Sequence, residues 1–147
     1  MARYRFSIRV AAPPEQVFAL WTDLERMREW VGGVTRVSDV TGPIDRSGTR
    51  YTVWFGRMRS ATEIVEVERP RHIRTRFGNM LLRGESEATF ESEDGGTRLT
   101  QEFRTHGAIS AITARLFATG SYRGSFQGEL AAFRQIVERE AQSASRV

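Results

Sequence analysis

The sequence predicts an α+β domain in which a seven-stranded antiparallel sheet curves over one long C-terminal helix, with two short helices after the first strand. Three observations predict it. Arg3 to Ala12 alternates, with Tyr4, Phe6, Ile8 and Val10 on one side and Arg3, Arg5, Ser7 and Arg9 on the other, as in a half-buried strand. Five further runs between residues 49 and 105 and a short one at 34–40 carry strand pattern, separated by turn residues. Finally, Ile109 to Glu140 has no proline, and Phe126, Leu130, Phe133 and Val137 share one helical face.

Each element has a local reason. Pro13-Pro14 ends the first strand; Pro14 suits a first helical position, and Glu15 favours the positive end of the helix dipole. Val17, Phe18, Leu20 and Trp21 carry that helix. Asp23 can cap a second one, Leu24 to Trp30, which Gly32-Gly33 stops. Val34 to Val40 is a short strand. Thr49 to Phe55 carries apolar residues on both faces, so its orientation is open. Met58 to Glu68 puts Ala61, Val65 and Val67 on one face together with Arg59 and Glu63. His72 to Phe77, Leu81 to Glu91 and Thr97 to Thr105 complete the sheet, with Glu93-Asp94-Gly95-Gly96 as a strong hairpin turn. Consecutive hairpins leave one sheet face wet and one on the helix.

The long helix has a second feature. Gly120, Gly124 and Gly128 recur at i, i+4 and i+8, and each costs about 1 kcal/mol against alanine. Close approach of another backbone, or space left open for a ligand, would compensate. The apolar stripe also turns across Gly120, setting Phe117 nearly opposite Phe126.

Composition narrows the function. At 147 residues the chain, 1–147, reads as a single domain with room for a core. It shows no charged-then-apolar leader and no apolar run that would span a bilayer, so a cytoplasmic protein without stable membrane insertion is expected. There is no cysteine, which excludes disulfides and thiolate chemistry; with only His72 and His106, a histidine-rich metal site is not expected either, and no cofactor is. The basic residues are all arginine, and the formal net charge is +4. In a meander with the first strand beside the last, Arg3, Arg5 and Arg9, Arg98 and Arg104, and Arg74 and Arg76 alternate by strand with Glu85, Glu87 and Glu91 and with Glu66 and Glu68. A nucleic-acid surface would cluster one sign, so no nucleic-acid partner is expected.

The opening strand running into Ala11-Ala12-Pro13-Pro14-Glu15-Gln16-Val17-Phe18, then Asp23-Leu24-Glu25 and Trp30, resembles the START-like (SRPBCC) superfamily. So do Val67-Glu68-Arg69-Pro70-Arg71, Gly95-Gly96-Thr97-Arg98-Leu99 and the terminal helix; the nearest likeness is to the polyketide cyclase/dehydrase branch. The resemblance covers nearly the whole chain. It implies a helix-grip fold with an apolar cavity between sheet and helix. It also implies a small hydrophobic ligand of lipid, sterol, hormone or polyketide type, and in some members cyclisation or dehydration.

Strand parity then nominates residues. Glu63 is the candidate acid or base and Arg59 its partner or an anchor for a carbonyl or carboxylate, unless the strand bulges near Gly56 to Ser60 or the two ions meet at the pocket rim. Ser86 and Gln101 are inward polar groups, and Trp30, Trp54, Phe77, Phe103, Tyr122 and Gly124 are candidate pocket walls. Three functions follow: a carrier or receptor for a small hydrophobic molecule, a cyclase or dehydratase using Glu63 and Arg59, and a co-chaperone-like interaction module with Phe117 as a contact. Nothing in the sequence sets the oligomeric state; a homodimer is open.

Overall fold

The computed structural model describes residues 3–80, 82–107, 112 and 125–145. Seven strands form one antiparallel sheet: β1 (Arg3–Val10), β2 (Arg36–Ser38), β3 (Arg50–Phe55), β4 (Met58–Glu68), β5 (His72–Gly78), β6 (Arg83–Glu93) and β7 (Gly96–Thr105). Their order is β1-β7-β6-β5-β4-β3-β2, so every neighbour but one is a sequence neighbour and the first strand closes on the last. Helix α1 (Pro14–Trp21) and a 3-10 helix (Leu24–Glu29) follow β1, and α2 (Ser125–Ser145) ends the described chain. This is the helix-grip arrangement. The expected helix from Leu24 to Trp30 forms as a 3-10 turn, and Gly33 leaves it at φ +84°, which glycine adopts without strain. Residues 108–111 and 113–124 lie outside the described ones, and with them the turn across Gly120, Gly124 and the position of Phe117.

The core forms where the predicted stripes meet. Leu130, Phe133 and Val137 of α2 are buried against Val10, Phe18, Phe90 and Leu99. The i, i+3, i+7 spacing of those three places them on one side of α2, the side the sheet and α1 cover. Phe133 is fully buried, with its ring 5.3 Å from Trp21 and 5.0 Å from Trp30. Full burial of such a side chain contributes about 1.5–3 kcal/mol. Polar bonds fix α2 across the same seam. Glu138 accepts from the Ala11 amide at 2.7 Å, and Glu140 takes the Arg26 guanidinium, which also holds Glu29.

Strand β4 departs from its sequence reading. Ile64 pairs with Thr75 and Glu66 with Arg74, so Val65 has no partner in β5 and forms a bulge. Before the bulge Ser60, Thr62 and Ile64 are buried; after it Val67 takes the inner side. Parity extrapolated from Val65 and Val67 therefore inverts the first half of the strand. Arg59 and Glu63 stand on the outer face, opposite Trp54 and between Arg50 and Arg76 respectively. In β3 the open question resolves with Tyr51 and Val53 buried inside and Trp54 outside. The Trp54 indole N–H donates to Ser38 Oγ at 2.8 Å, and the Arg36 guanidinium lies 4.3 Å from its ring centre.

The outer face carries the expected cross-strand ion pairs, together with one within β7, Arg104 to Glu102. Arg104 reaches Glu102, Glu87 and Glu85 at 3.1, 3.0 and 3.6 Å. Arg74 meets Glu66 at 3.3 Å, and His72 stands between Glu87 and Glu66. The Arg104 pairs are half-buried rather than exposed, and each contributes on the order of 1 kcal/mol.

Gly84 sits where β6 crosses β7. A Cβ there would strike the Arg104 carbonyl, which is backbone and cannot rotate away. Gly84→Ala should therefore lower stability by more than about 1 kcal/mol and, in thermal melts, cost more than Gly128→Ala in α2, where an added Cβ meets open space.

Candidate functional site

Between the concave side of the sheet and the α1–3-10 segment lies a cavity of about 290 Å³. Its sheet wall comes from alternate residues: Tyr51, Val53 and Phe55 of β3; Ser60, Thr62 and Ile64 of β4; Ile73, Thr75 and Phe77 of β5; Ser86 of β6; Gln101 and Phe103 of β7. Trp21, Met27, Trp30 and Val31 close one end, and α2 contributes Glu129. Aromatic rings stiffen both ends. Trp21 and Trp30 lie 4.8 Å apart, and Phe77 stacks on Phe103 at 5.1 Å.

Of the residues nominated from sequence, Trp30, Phe77, Ser86, Gln101 and Phe103 meet on this cavity. Gln101 Nε2 donates weakly to Ser86 Oγ at 3.4 Å, so these two partly satisfy each other. Trp54, Arg59 and Glu63 are corrected: the register of β3 and the bulge in β4 set all three on the outer face. The Arg59 guanidinium lies 5.9 Å from the Trp54 ring centre, and Arg59 does not line the cavity. Glu63 joins Arg50, Arg76, Arg83 and His106 around a wider depression of about 700 Å³. Tyr122 and Gly124 lie outside the described residues. Gly128 of the glycine stripe is exposed.

Sequence reading missed Glu129. Its Oε1 accepts the Gly32 amide at 3.1 Å. Burial pushes the carboxyl from 4.5 up to about 7, and the Gly32 hydrogen bond only partly offsets this. Among the described residues no arginine lines the cavity to counter it. The signal was present: at roughly 100° per residue, position 129 falls within the apolar sector of α2, beside Phe133. A carboxylate inside an apolar stripe marks a group that is either bonded or functional. Tyr51 is another titratable group on the wall; burial pushes its phenol upward too.

A family profile described as "Polyketide cyclase / dehydrase and lipid transport" matches residues 1–138. The chain belongs to this family. The START-like resemblance read from the opening strand and the terminal helix therefore holds. Among solved structures, MLL2253 from Mesorhizobium loti superposes with a TM-score of 0.76 at 15% identity, covering 94% of this chain and 98% of that one. TTHA0849 from Thermus thermophilus gives 0.65 at 18%, covering 95% and 99%. DynU16, a putative protein in the dynemicin biosynthetic locus, gives 0.71 at 19%, covering 95% of this chain and 48% of that one. At these identities the likeness is one of fold. A comparison with curated proteins finds no match.

Two outcomes follow from this geometry. Glu129 holds a proton in the folded chain that the unfolded chain releases, across the window from about pH 4.5 to about 7. Stability contributed there is present at low pH and lost as pH rises. Glu129→Gln should remove that slope. Relative to the variant, the wild type should lose about 1–2 kcal/mol between about pH 5 and 8 in urea titrations, less than the full shift implies because the group is only half-buried. Glu63→Lys, in contrast, should cost less than about 1 kcal/mol in the same titrations, as expected for an outer-face position.

Proposed function

We propose that the protein binds a small apolar molecule in the cavity between the sheet and the α1–3-10 segment, which the C-terminal helix borders through Glu129. The observation that carries this is the wall itself. A space of about 290 Å³ is lined mainly by aromatic and aliphatic side chains, with a few hydroxyls and amides, one carboxyl and no arginine among the described residues. That volume lies at the low end of ligand sites, which run roughly 300–1,000 Å³. A core of this size would ordinarily fill such a space, because missing contacts forfeit dispersion energy. Family membership supports the same reading.

The enzymatic alternative through Glu63 and Arg59 has no support in the geometry, since neither reaches the cavity. Cyclase-type chemistry would need an acid–base group inside, and Glu129 is the carboxyl among the described walls. The interaction-module alternative rests on Phe117, which lies outside the described residues.

Two measurements test the proposal. Mass spectrometry of solvent extracts of the purified protein should show an apolar small molecule in stoichiometric amount. Thr75→Leu, which pushes a larger side chain into the cavity from β5, should weaken binding of a naphthalene-based fluorescent probe by about tenfold, equivalent to about 1.4 kcal/mol. Unchanged probe affinity in Thr75→Leu, with an empty extract, would remove the cavity from consideration.

A further inference from the structure

The polar groups on the cavity wall divide into two sets. Some are bonded within the protein: Gln101 to Ser86, Thr22 Oγ1 to the Phe18 carbonyl, and Asn79 Oδ1 to the Leu82 amide. Others are not. The Trp30 indole N–H is buried and has no acceptor among the described residues. Glu129 uses Oε1 on the Gly32 amide, and no described residue bonds Oε2. A buried N–H left this way is uncommon, and a site for a bound partner is one of the usual reasons.

These two groups lie at the same end of the cavity. Gly32, which holds Glu129, is two residues beyond Trp30. The Trp30 ring packs 5.0 Å from Phe133, one helical turn after Glu129. Glu29 and Arg28 are nearby in sequence but exposed, and neither lines the cavity; Glu29 is held by Arg26. Trp30 and Glu129 both line the cavity, and no arginine stands on its wall among the described residues.

We propose that this end of the cavity is a hydroxyl-recognition site, taking a phenol or alcohol carried on a ring-sized apolar body. The ligand oxygen accepts from Trp30 Nε1–H, and the ligand hydroxyl shares a hydrogen bond with the Glu129 carboxyl. The proposal rests on the ligand-binding reading above and narrows it. A hydroxyl suits the pair because it gives and takes one hydrogen bond with the same atom. A carboxylate can only accept, and its charge would lie in a largely apolar space with no arginine on the described wall. An ammonium would pair with Glu129 and leave the Trp30 N–H without an acceptor. The carboxyl titrates near neutrality, so it can act as donor or acceptor toward that hydroxyl.

The test is a matched series of probes: naphthalene, 2-naphthol, 2-naphthoate and 2-naphthylmethylammonium. Affinities are measured by calorimetry at about pH 6, where a carboxyl raised this far is largely protonated, for wild type, Glu129→Leu and Trp30→Phe, with melting temperatures as the folding control. Trp30→Phe keeps an aromatic ring against Phe133 and removes the N–H donor. The wild type should bind 2-naphthol at least about tenfold tighter than naphthalene, a margin set by one well-placed hydrogen bond, and bind the two ions more weakly than 2-naphthol. In each variant the ratio of 2-naphthol to naphthalene affinity should fall several-fold, while naphthalene itself is retained. Naphthalene bound with the ratio unchanged in both variants would overturn the hydroxyl site and leave the cavity reading intact. Preference for either ion would overturn it as well. Failure of the wild type to bind any member of the series would overturn the cavity reading, and this inference with it.

Discussion

The seating of Phe133 is the contact on which the rest depends. Its ring is fully enclosed, with Trp21 and Trp30 as edge-on neighbours. It joins three separate parts of the chain: the terminal helix, α1 and the 3-10 segment. With Leu130 and Val137 it presses α2 onto the β1–β7–β6 side of the sheet, where Val10, Leu99 and Phe90 are packed. That side is filled. The β3–β4–β5 side is lined by the same alternation of inward residues but receives no comparable plug from the described part of α2, and the cavity is what remains. Core and cavity are thus two ends of one concave surface.

The closure of β1 on β7 makes this possible. It carries the Ala11–Pro14 connection over the sheet, so that α1 and the 3-10 helix lie against the concave face. Thr97 Oγ1 donates to the Ala12 carbonyl at 2.7 Å in a fully buried position, and the Ala11 amide is taken by Glu138. The turn into α1 is therefore tied both to the last strand and to the terminal helix. The wet face is organised differently, through arginines of β1, β5 and β7 set among carboxylates of β4, β6 and β7. A surface built that way carries many charges without one dominant sign.

The fold is legible in the sequence because its signals are periodic and local. Alternation in β1, the Glu93–Gly96 hairpin and the Leu130–Phe133–Val137 stripe each state their geometry within about ten residues. The site is less legible, and the failures share a cause. Counting in twos from Val65 and Val67 places Glu63 and Arg59 inside, and a single bulged residue breaks that count. Nothing in the local sequence announces the bulge; it is set by pairing with β5. Trp54 reads as a pocket wall because β3 is apolar on both sides, yet its partners Arg36 and Ser38 come from the edge strand. Glu129 is readable from helical periodicity, which places it among the apolar positions. Only the fold shows that its partner is the Gly32 amide rather than a cation.

The bulge at Val65 has an evolutionary reach. Because it stands between the two halves of β4, chain length there, rather than residue identity, decides which set of side chains faces the cavity. Removing one residue would force the pairing with β5 either to slide or to invert. Inversion would turn Ser60, Thr62 and Ile64 outward and bring Arg59, Ala61 and Glu63 within. A relative that differs by one deletion would then hold an ionic pair where this chain presents hydroxyls and a methyl-rich wall. In this architecture an insertion or deletion is a means of exchanging the chemistry of a pocket wholesale, without any substitution on its walls.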